Sequence, residues 1–125
     1  MSDNAKLVTS FCQAWSRRNV DELLAYFSDD AVYHNMPMPP IKGKPAISAI
    51  LNQIIAPTTA IDWEVLNLAE TGDTVFTERV DRFQMGDRKV ELPVAGVFEL
   101  QDGKIVAWRD YFDMPTWTRQ TSAAG

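Results

Sequence analysis

Apolar residues recur at helical spacing through the first half of the chain. The first stretch predicts an amphipathic helix over residues 4–18, with an apolar face of Leu7, Val8, Phe11, Cys12 and Trp15. Asn19 followed by Glu22 resembles a capping box and predicts a short second helix that carries Leu23, Leu24 and Phe27. After a proline-rich turn at residues 36–40, Pro45 favours the first turn of a third helix, which ends at Pro57 and buries Ile47, Ile50, Leu51 and Ile54.

Beyond residue 60 the apolar period changes to two, which is the period of a β-strand. Ile61, Trp63 and Val65 alternate with acidic residues, and further strands are predicted over residues 75–85, 89–100 and 104–113. Turns separate them at residues 71–74 and 86–87, and Asp102-Gly103 is a strong hairpin signal of type I′.

This order of elements predicts one α+β domain over residues 1–125, in which three N-terminal helices cover one face of a curved sheet. Residues 118–125 are small and polar, so we expect a frayed C-terminal tail within about residues 115–125.

The composition excludes several classes of site. Lys and Arg total 12 and Asp and Glu total 17, a net charge of −5, so we expect no nucleic-acid partner. Single Cys12 and single His34 exclude an internal disulfide, Cys-rich metal sites and two-histidine metal motifs. No nucleotide-binding loop, signal peptide or membrane-length apolar run occurs, so we expect a cytoplasmic protein with no cofactor, metal or membrane contact. The remaining chemistry is that of carboxylates, arginine, amides and phenols.

Charged residues fall on strand faces that are otherwise apolar. Alternation puts Asp110 in the apolar stripe of the last strand, and puts Arg79 and Asp81 together on one face of an earlier strand. The residues that share these faces are Val106, Trp108 and Phe112 around Asp110, Thr77 and Phe83 around Arg79, and Leu92, Val94, Gly96 and Phe98 on the strand between.

If these faces point into the enclosed core, the carboxylate of Asp110 needs a cation, because an unpaired buried charge is costly. Arg79 can supply one, since its planar guanidinium can bind two carboxylates at once. We infer an Asp81–Arg79–Asp110 array in an apolar pocket. Such an array can hold one carboxylate as a base and the other as a protonated acid. An ion triad that only ties the strands together fits the same residues equally well.

Tyr33 and Asn35 form a second polar pair, just before the proline-rich turn. Alternation places both on one strand face and His34 on the other, so His34 is not expected to be catalytic. A phenol and an amide side by side can hold a water molecule by its hydrogens and its lone pair. Taken alone, the pair favours a simpler interpretation, in which Tyr33 packs in the core and Asn35 starts the turn.

The segments Tyr33-x-Asn35, Arg79-x-Asp81 and Trp108-Arg-Asp110 together resemble the limonene-1,2-epoxide hydrolase family. The resemblance runs from the first helix to Asp113 and includes Gly96 and the segment Gly103-Lys-Ile-Val-Ala-Trp-Arg-Asp-Tyr-Phe-Asp113. The Trp-Arg-Asp-Tyr ending also occurs in related domains of other function, and its combination with the other two segments is much more specific. The resemblance implies the cone-shaped nuclear-transport-factor-2-like (SnoaL-like) fold, in which a strongly curved mixed sheet and three N-terminal helices enclose an apolar pocket.

The implied activity is addition of water to a small apolar epoxide, cyclic and terpene-like, to give a vicinal diol in one step without a covalent intermediate. By this resemblance Asp110 is the general base, Asp81 the general acid and Arg79 their bridge, while Tyr33 and Asn35 position the water. The implied substrate pocket consists of Trp108, Phe83, Leu92, Val94, Phe112, Met36 and Met38. The family also tends to be homodimeric, which implies a homodimer here.

Two other classes of function remain open. One is a different enzyme of the same fold, either an epoxide-opening cyclase or a ketosteroid-isomerase-like proton shuttle. An isomerase needs a base that faces an oxyanion-binding tyrosine and a neutral acid. A bridge by Arg79 that keeps the acidic pair charged as a unit argues against it. The other is a non-catalytic domain that binds an apolar ligand, in which the polar residues are structural.

Overall fold

A six-stranded mixed sheet forms the frame of the molecule. The computed structural model describes residues 2–122. The helices are α1 (Asp3–Ala14), α2 (Val20–Leu24), α3 (Lys44–Ile55) and α4 (Met114–Thr121), and the strands are β1 (Phe27–Asn35), β2 (Ile41–Lys42), β3 (Ala60–Thr71), β4 (Thr74–Met85), β5 (Arg88–Gln101) and β6 (Lys104–Tyr111). The strand order is β2-β1-β6-β5-β4-β3, with β1 parallel to β6 and all other neighbours antiparallel. The predicted α+β class with a curved mixed sheet is confirmed.

Capping side chains set the starts of the first two helices. The hydroxyl of Ser2 accepts a hydrogen bond from the Ala5 amide, and Asn19 Oδ1 accepts one from the Glu22 amide, as the capping-box pattern predicts. Helix α1 is shorter than predicted, because a 3₁₀ turn over Trp15–Arg17 follows it. In α3, Pro45 lies in the first turn as predicted, where its missing N–H costs nothing.

Phe27 lies in β1 and not in the second helix, where the periodicity predicted it. Helix α2 ends at Leu24, and the chain then pairs with the start of β6. Ile105 donates its amide to the Tyr26 carbonyl, Lys104 Nζ binds the Ala25 carbonyl, and Phe27 is the register partner of Ile105. Long-range strand pairing therefore overrides the helical spacing at this point.

The strand β6 contains a bulge that sequence alternation misses. The Asp102-Gly103 turn has positive φ angles at both residues, 52° and 75°, as a type I′ hairpin requires. Between Ile105 and Ala107 the register with β5 then shifts by one residue. Ile105 is fully buried and Val106 only half-buried, so the prediction that Val106 shares the face of Trp108 is wrong.

A fourth helix replaces most of the predicted C-terminal tail. Asp113 caps α4 by accepting a hydrogen bond from the Thr116 amide, and a proline lies in the first turn. The Gln120 side chain binds the backbone of Glu91 on β5 in both directions, as donor and as acceptor. Trp117 packs edge-on against Phe83 with ring centroids 5.6 Å apart. These contacts order the segment through Thr121, and residues 123–125 lie outside the described part.

Aromatic rings form the core beneath the site. Trp108 is fully buried on β6, stacked between Tyr33 of β1 at 4.1 Å and Phe98 of β5 at 5.5 Å, both its register partners. Phe11 of α1 meets the same indole edge-on at 5.1 Å. This packing holds Trp108 in a fixed position, two residues before Asp110 on the same strand. In the range 2–122, no helix is long and apolar enough to span a membrane.

Candidate active site

The guanidinium of Arg79 bridges two buried aspartates. Its Nε and Nη2 donate to the two carboxylate oxygens of Asp81, each at 2.9 Å. Its Nη2 and Nη1 donate to the two oxygens of Asp110 at 2.8 and 3.2 Å. The remaining N–H of Nη1 donates to Thr77 Oγ1 at 3.2 Å, so all five donors of the guanidinium have acceptors.

Strand register brings these residues together. Thr77, Arg79 and Asp81 occupy alternate, buried positions of β4, as alternation predicts. Thr77 is paired with Gly96 of β5, and Gly96 is paired with Asp110 of β6. Asp110 therefore lies two strands from Thr77 in the same row of the inner face, within reach of the long Arg79 side chain.

Two indole rings hold the array in place. Trp108 Nε1 donates a 2.7 Å hydrogen bond to Asp110 Oδ1, which fixes the orientation of that carboxylate. The ring of Trp63 lies under the guanidinium, with Cζ of Arg79 4.5 Å from the ring centroid. At this distance the cation is attracted to the face of the ring.

Tyr33 and Asn35 stand next to Asp110 on the neighbouring strand. Asn35 is the register partner of Asp110, and the Tyr33 hydroxyl donates to Asn35 Oδ1 at 3.1 Å. Burial raises the pKa of the Tyr33 phenol well above its usual value, and the nearby Asp110 charge adds to that rise. Tyr33 therefore stays a neutral hydroxyl. His34 lies on the other face of β1, paired with Arg109.

The site also perturbs the titration of the Asp81 carboxyl. Burial raises its pKa from 3.8 to about 6, against the opposing effect of the Arg79 charge, and Asp110 adds to the rise. A buried site with one cation and two carboxylates is electrically neutral only when one carboxyl holds a proton. The raised pKa makes the Asp81 carboxyl easier to protonate than an ordinary aspartate.

One apolar cavity of about 270 Å³ opens onto both aspartates. Its floor is polar, with Asp81, Asp110, Tyr33 and Asn35. Its walls are apolar apart from Gln53, and consist of Met38, Ile50, Ile54, Pro57, Trp63, Phe83, Met85, Phe112, Met114 and Trp117. Within the described part of the chain, no group of three His, Cys, Asp or Glu side chains is placed to hold a metal ion.

Four of the seven residues in the predicted pocket do not line the cavity. Phe83, Phe112 and Met38 line the cavity, whereas Trp108, Leu92, Val94 and Met36 do not. Trp108 is stacked beneath Tyr33. Leu92 and Val94 are the register partners of Asp81 and Arg79, in a part of β5 against which α4 packs. The Met36 amide donates to the Asp110 carbonyl, and the turn beyond it presents Met38 to the cavity instead.

The predicted site omitted eight residues that line the cavity: Ile50, Gln53, Ile54, Pro57, Trp63, Met85, Met114 and Trp117. Alternation predicts that Trp63 lies in a strand, but nothing in the pattern of β3 identifies it as the ring beneath Arg79. Met114 and Trp117 belong to α4, whose signal is an aspartate N-cap followed by proline at Asp113-Met-Pro. This signal is sufficient to predict the helix. It does not predict that the helix lines the cavity.

Comparison with known proteins agrees with the geometry. The family model for the limonene-1,2-epoxide hydrolase catalytic domain matches residues 2–123. Epoxide hydrolase EphG of Mycobacterium tuberculosis is 33% identical over 107 residues, which cover 86% of this chain and 71% of that protein.

Solved structures show the same fold. The structure of a limonene-epoxide-hydrolase-like epoxide hydrolase of M. tuberculosis superposes with a TM-score of 0.81 at 29% identity, over 98% of this chain and 94% of that one. A nuclear-transport-factor-2-like protein from Burkholderia pseudomallei superposes with a TM-score of 0.86 at 20% identity, over 98% and 100% of the two chains, a likeness of fold alone. The chain belongs to the limonene-1,2-epoxide hydrolase family of enzymes.

Proposed function

We propose that this enzyme adds water to a small apolar epoxide in a single step and releases a vicinal diol. One observation carries the proposal: two buried carboxylates share one guanidinium at the floor of an apolar cavity and both face that cavity. An epoxide is neutral and strained, so a base at the attacking water and an acid at the ring oxygen are sufficient to open it.

Asp81 is the general acid and Asp110 the general base. The raised pKa of Asp81, about 6, supports this assignment, since an acid must hold its proton near working pH. Asp110 accepts hydrogen bonds from Arg79 and from the Trp108 indole, and these donors fix the orientation of its carboxylate beside the cavity. Arg79 keeps the pair at one negative charge, so that acid and base coexist in one buried site.

Tyr33 and Asn35 hold the attacking water beside Asp110. The hydroxyl of Tyr33 already donates to Asn35 Oδ1, which leaves its oxygen free to accept and leaves the amide of Asn35 free to donate. A water held by these two groups can direct one hydrogen at Asp110. Fixing the water in this way removes the entropic cost of capturing it from bulk solvent.

The step balances in atoms and charge. Asp110 takes a proton from the water while the water oxygen bonds to one ring carbon. The carbon–oxygen bond of the ring breaks, and the released oxygen takes the proton of Asp81. The diol leaves with Asp110 protonated and Asp81 charged. A proton then moves from Asp110 to Asp81, directly or through solvent, and restores the starting state.

The cavity favours a small, cyclic, terpene-like substrate. Its volume of about 270 Å³ lies just below the range of roughly 300–1,000 Å³ that is typical of small-molecule sites. Its walls are almost entirely hydrocarbon and thioether, so desolvation of an apolar ring contributes most of the binding energy. The methionines Met38, Met85 and Met114 can adapt to rings of different shape.

A single turnover in ¹⁸O-labelled water tests the one-step mechanism. With enzyme in excess over a cyclic terpene epoxide, we expect ¹⁸O in the first diol released and none in the protein. A covalent ester would give the opposite result, with unlabelled diol first and label in an aspartate. Mass spectrometry of the diol and of the digested protein separates the two.

Isosteric variants test the roles of the two aspartates. We expect Asp110→Asn and Asp81→Asn each to abolish diol formation while the protein stays folded. Asp30→Asn is the matched control, because Asp30 is exposed on β1, away from the cavity. A fully active Asp110→Asn variant contradicts the mechanism. An apolar ligand held tightly with no turnover of any epoxide would instead support the binding-domain alternative.

We also propose that the enzyme is a homodimer that pairs through the outer face of the sheet. The helices α1 and α3 pack on the inner side, while Phe76 and Tyr111 remain more than 40% exposed on the outer side. Pro93 and Ala95 are also exposed on β5, the strand that lies between β4 and β6. Light scattering across a concentration series measures the mass. We expect a dimer that Ala95→Glu dissociates, whereas a monomer at all concentrations contradicts the proposal.

A further inference from the structure

Gly96 occupies a position in the middle of β5 where glycine is unfavourable. Glycine in a strand interior loses more backbone entropy than other residues and has no side chain to pack. Its backbone does not adopt a positive φ, so conformation does not require glycine here. It lies on the inner face, between its register partners Thr77 and Asp110. A glycine at such a position marks a place where another group approaches closely.

The approaching group is the guanidinium of Arg79. A Cβ on residue 96 would lie 2.7 Å from Asp110 Oδ1, 2.9 Å from Thr77 Oγ1 and closer still to Arg79 Nη1. Real Cβ atoms essentially never come this close to another heavy atom. The missing side chain therefore makes the space in which Nη1 meets both oxygens.

Thr77 completes the same corner of the array. Its hydroxyl accepts the one N–H of Nη1 that neither aspartate takes. Thr77 is 4% exposed and Arg79 is 1% exposed, so no bulk solvent replaces this acceptor if it is removed. A buried guanidinium N–H without an acceptor is costly, so Arg79 would shift from its position between the aspartates to find another acceptor.

We propose that Gly96 and Thr77 are positioning residues that set the Arg79–Asp110 contact of the active site. The proposal rests on the proposed function, because the contact matters for catalysis only if Asp110 is the base. Neither residue lines the cavity, so both act through Arg79 and not on the substrate.

Kinetics with a cyclic terpene epoxide give the first readout. We expect Gly96→Ala to lower kcat by about 10²-fold, the typical effect of a misplaced catalytic group, with KM nearly unchanged. Thr77→Val should lower kcat by a smaller factor than Gly96→Ala does. Thr77→Ser keeps the hydroxyl and should have a kcat close to that of the wild type. Gly96→Ala with kcat within twofold of the wild type overturns the proposal. Equal activities of Thr77→Val and Thr77→Ser overturn the part assigned to Thr77.

¹⁵N NMR of the Arg79 side chain gives a second readout that does not depend on turnover. A guanidinium with five hydrogen bonds rotates slowly and should show separate, slowly exchanging Nη protons, assigned by their loss in Arg79→Lys. We expect these signals to persist in Thr77→Ser and to average or exchange rapidly in Thr77→Val and Gly96→Ala. Unchanged signals in both of the latter variants overturn the positioning role.

The two readouts separate this proposal from the proposed function. If the wild type hydrolyses no epoxide but the Arg79 signals respond as described, positioning holds and the assigned reaction fails. If the wild type is active and the substitutions change neither kcat nor the Arg79 signals, the proposed reaction is supported and the positioning role is wrong. Should Gly96→Ala not fold, the Thr77→Val and Thr77→Ser pair still decides.

Discussion

Removal of the shared cation is the sharpest test of the buried array. Arg79 is 1% exposed, and the side chains of Asp81 and Asp110 are each 5% exposed. Arg79→Met keeps much of the side-chain volume and removes every charge-assisted bond to the two carboxylates. Both would then face each other in an apolar cavity without a counter-charge.

The magnitude follows from the cost of breaking a buried ion pair. Removing one partner typically costs about 3–5 kcal/mol, because a charge is left buried and unpaired. The folded variant can relieve this cost by binding one proton more than the folded wild type. Each extra proton makes the stability difference shrink by about 1.4 kcal/mol per pH unit as the pH falls. The variant should therefore be far less stable than the wild type at pH 8 and much closer to it at pH 5.

Neutralising the aspartates should recover most of the lost stability. Adding Asp81→Asn and Asp110→Asn to Arg79→Met leaves no buried charge, and an asparagine at 110 still offers an oxygen to the Trp108 indole. Buried ion triads are often replaceable by neutral groups with little loss. Urea unfolding followed by tryptophan fluorescence measures all three proteins. An Arg79→Met cost below about 1 kcal/mol, or a triple variant no more stable than the single one, refutes the reasoning.

Three further predictions concern activity. Because the acid Asp81 has a pKa of about 6, kcat/KM should fall tenfold per pH unit above that value, and a flat profile from pH 5 to 8 would count against Asp81 as the acid. Trp108→Phe removes the 2.7 Å bond to Asp110 and should lower kcat with little change in KM, whereas an unchanged kcat would show that the bond is dispensable. Trp117→Ala opens the cavity wall against Phe83 and should raise kcat/KM for bulkier epoxides relative to small ones, and an unchanged ratio across an epoxide panel would remove Trp117 as a size determinant.

The polar array was predictable from sequence because strand alternation is a local property. Residues two apart on a strand share a face whatever the strand pairs with, so Arg79 and Asp81 had to point the same way. The same rule grouped Trp108 with Asp110. It failed two residues earlier at Val106, since a bulge is decided by pairing with β5 and not by the sequence of β6 alone.

The cavity walls were predictable only in part, because they depend on elements that are distant in the chain. Leu92 and Val94 lie on the predicted inner face, but α4, which the sequence pattern does not predict, packs against β5 next to Leu92. Its residues Met114 and Trp117 take their place at the cavity. Alternation predicts which side chains share the inner face of the sheet. It does not predict which of them line the cavity, because tertiary packing decides that.

The accessibility of the carboxylates bears on the choice between a catalytic array and a structural one. A buried ion triad adds little net stability, because desolvation of three charges offsets their attraction. A triad that only tied β4 to β6 would need no cavity, because every donor of Arg79 already has an acceptor within the array or on Thr77. Here both Asp81 and Asp110 face a cavity with hydrocarbon walls, and Tyr33 and Asn35 stand beside Asp110 at its floor. An arrangement that brings two carboxyl groups, a phenol and an amide to one apolar cavity has no evident structural purpose, and this favours the proposed catalytic role over a purely structural one.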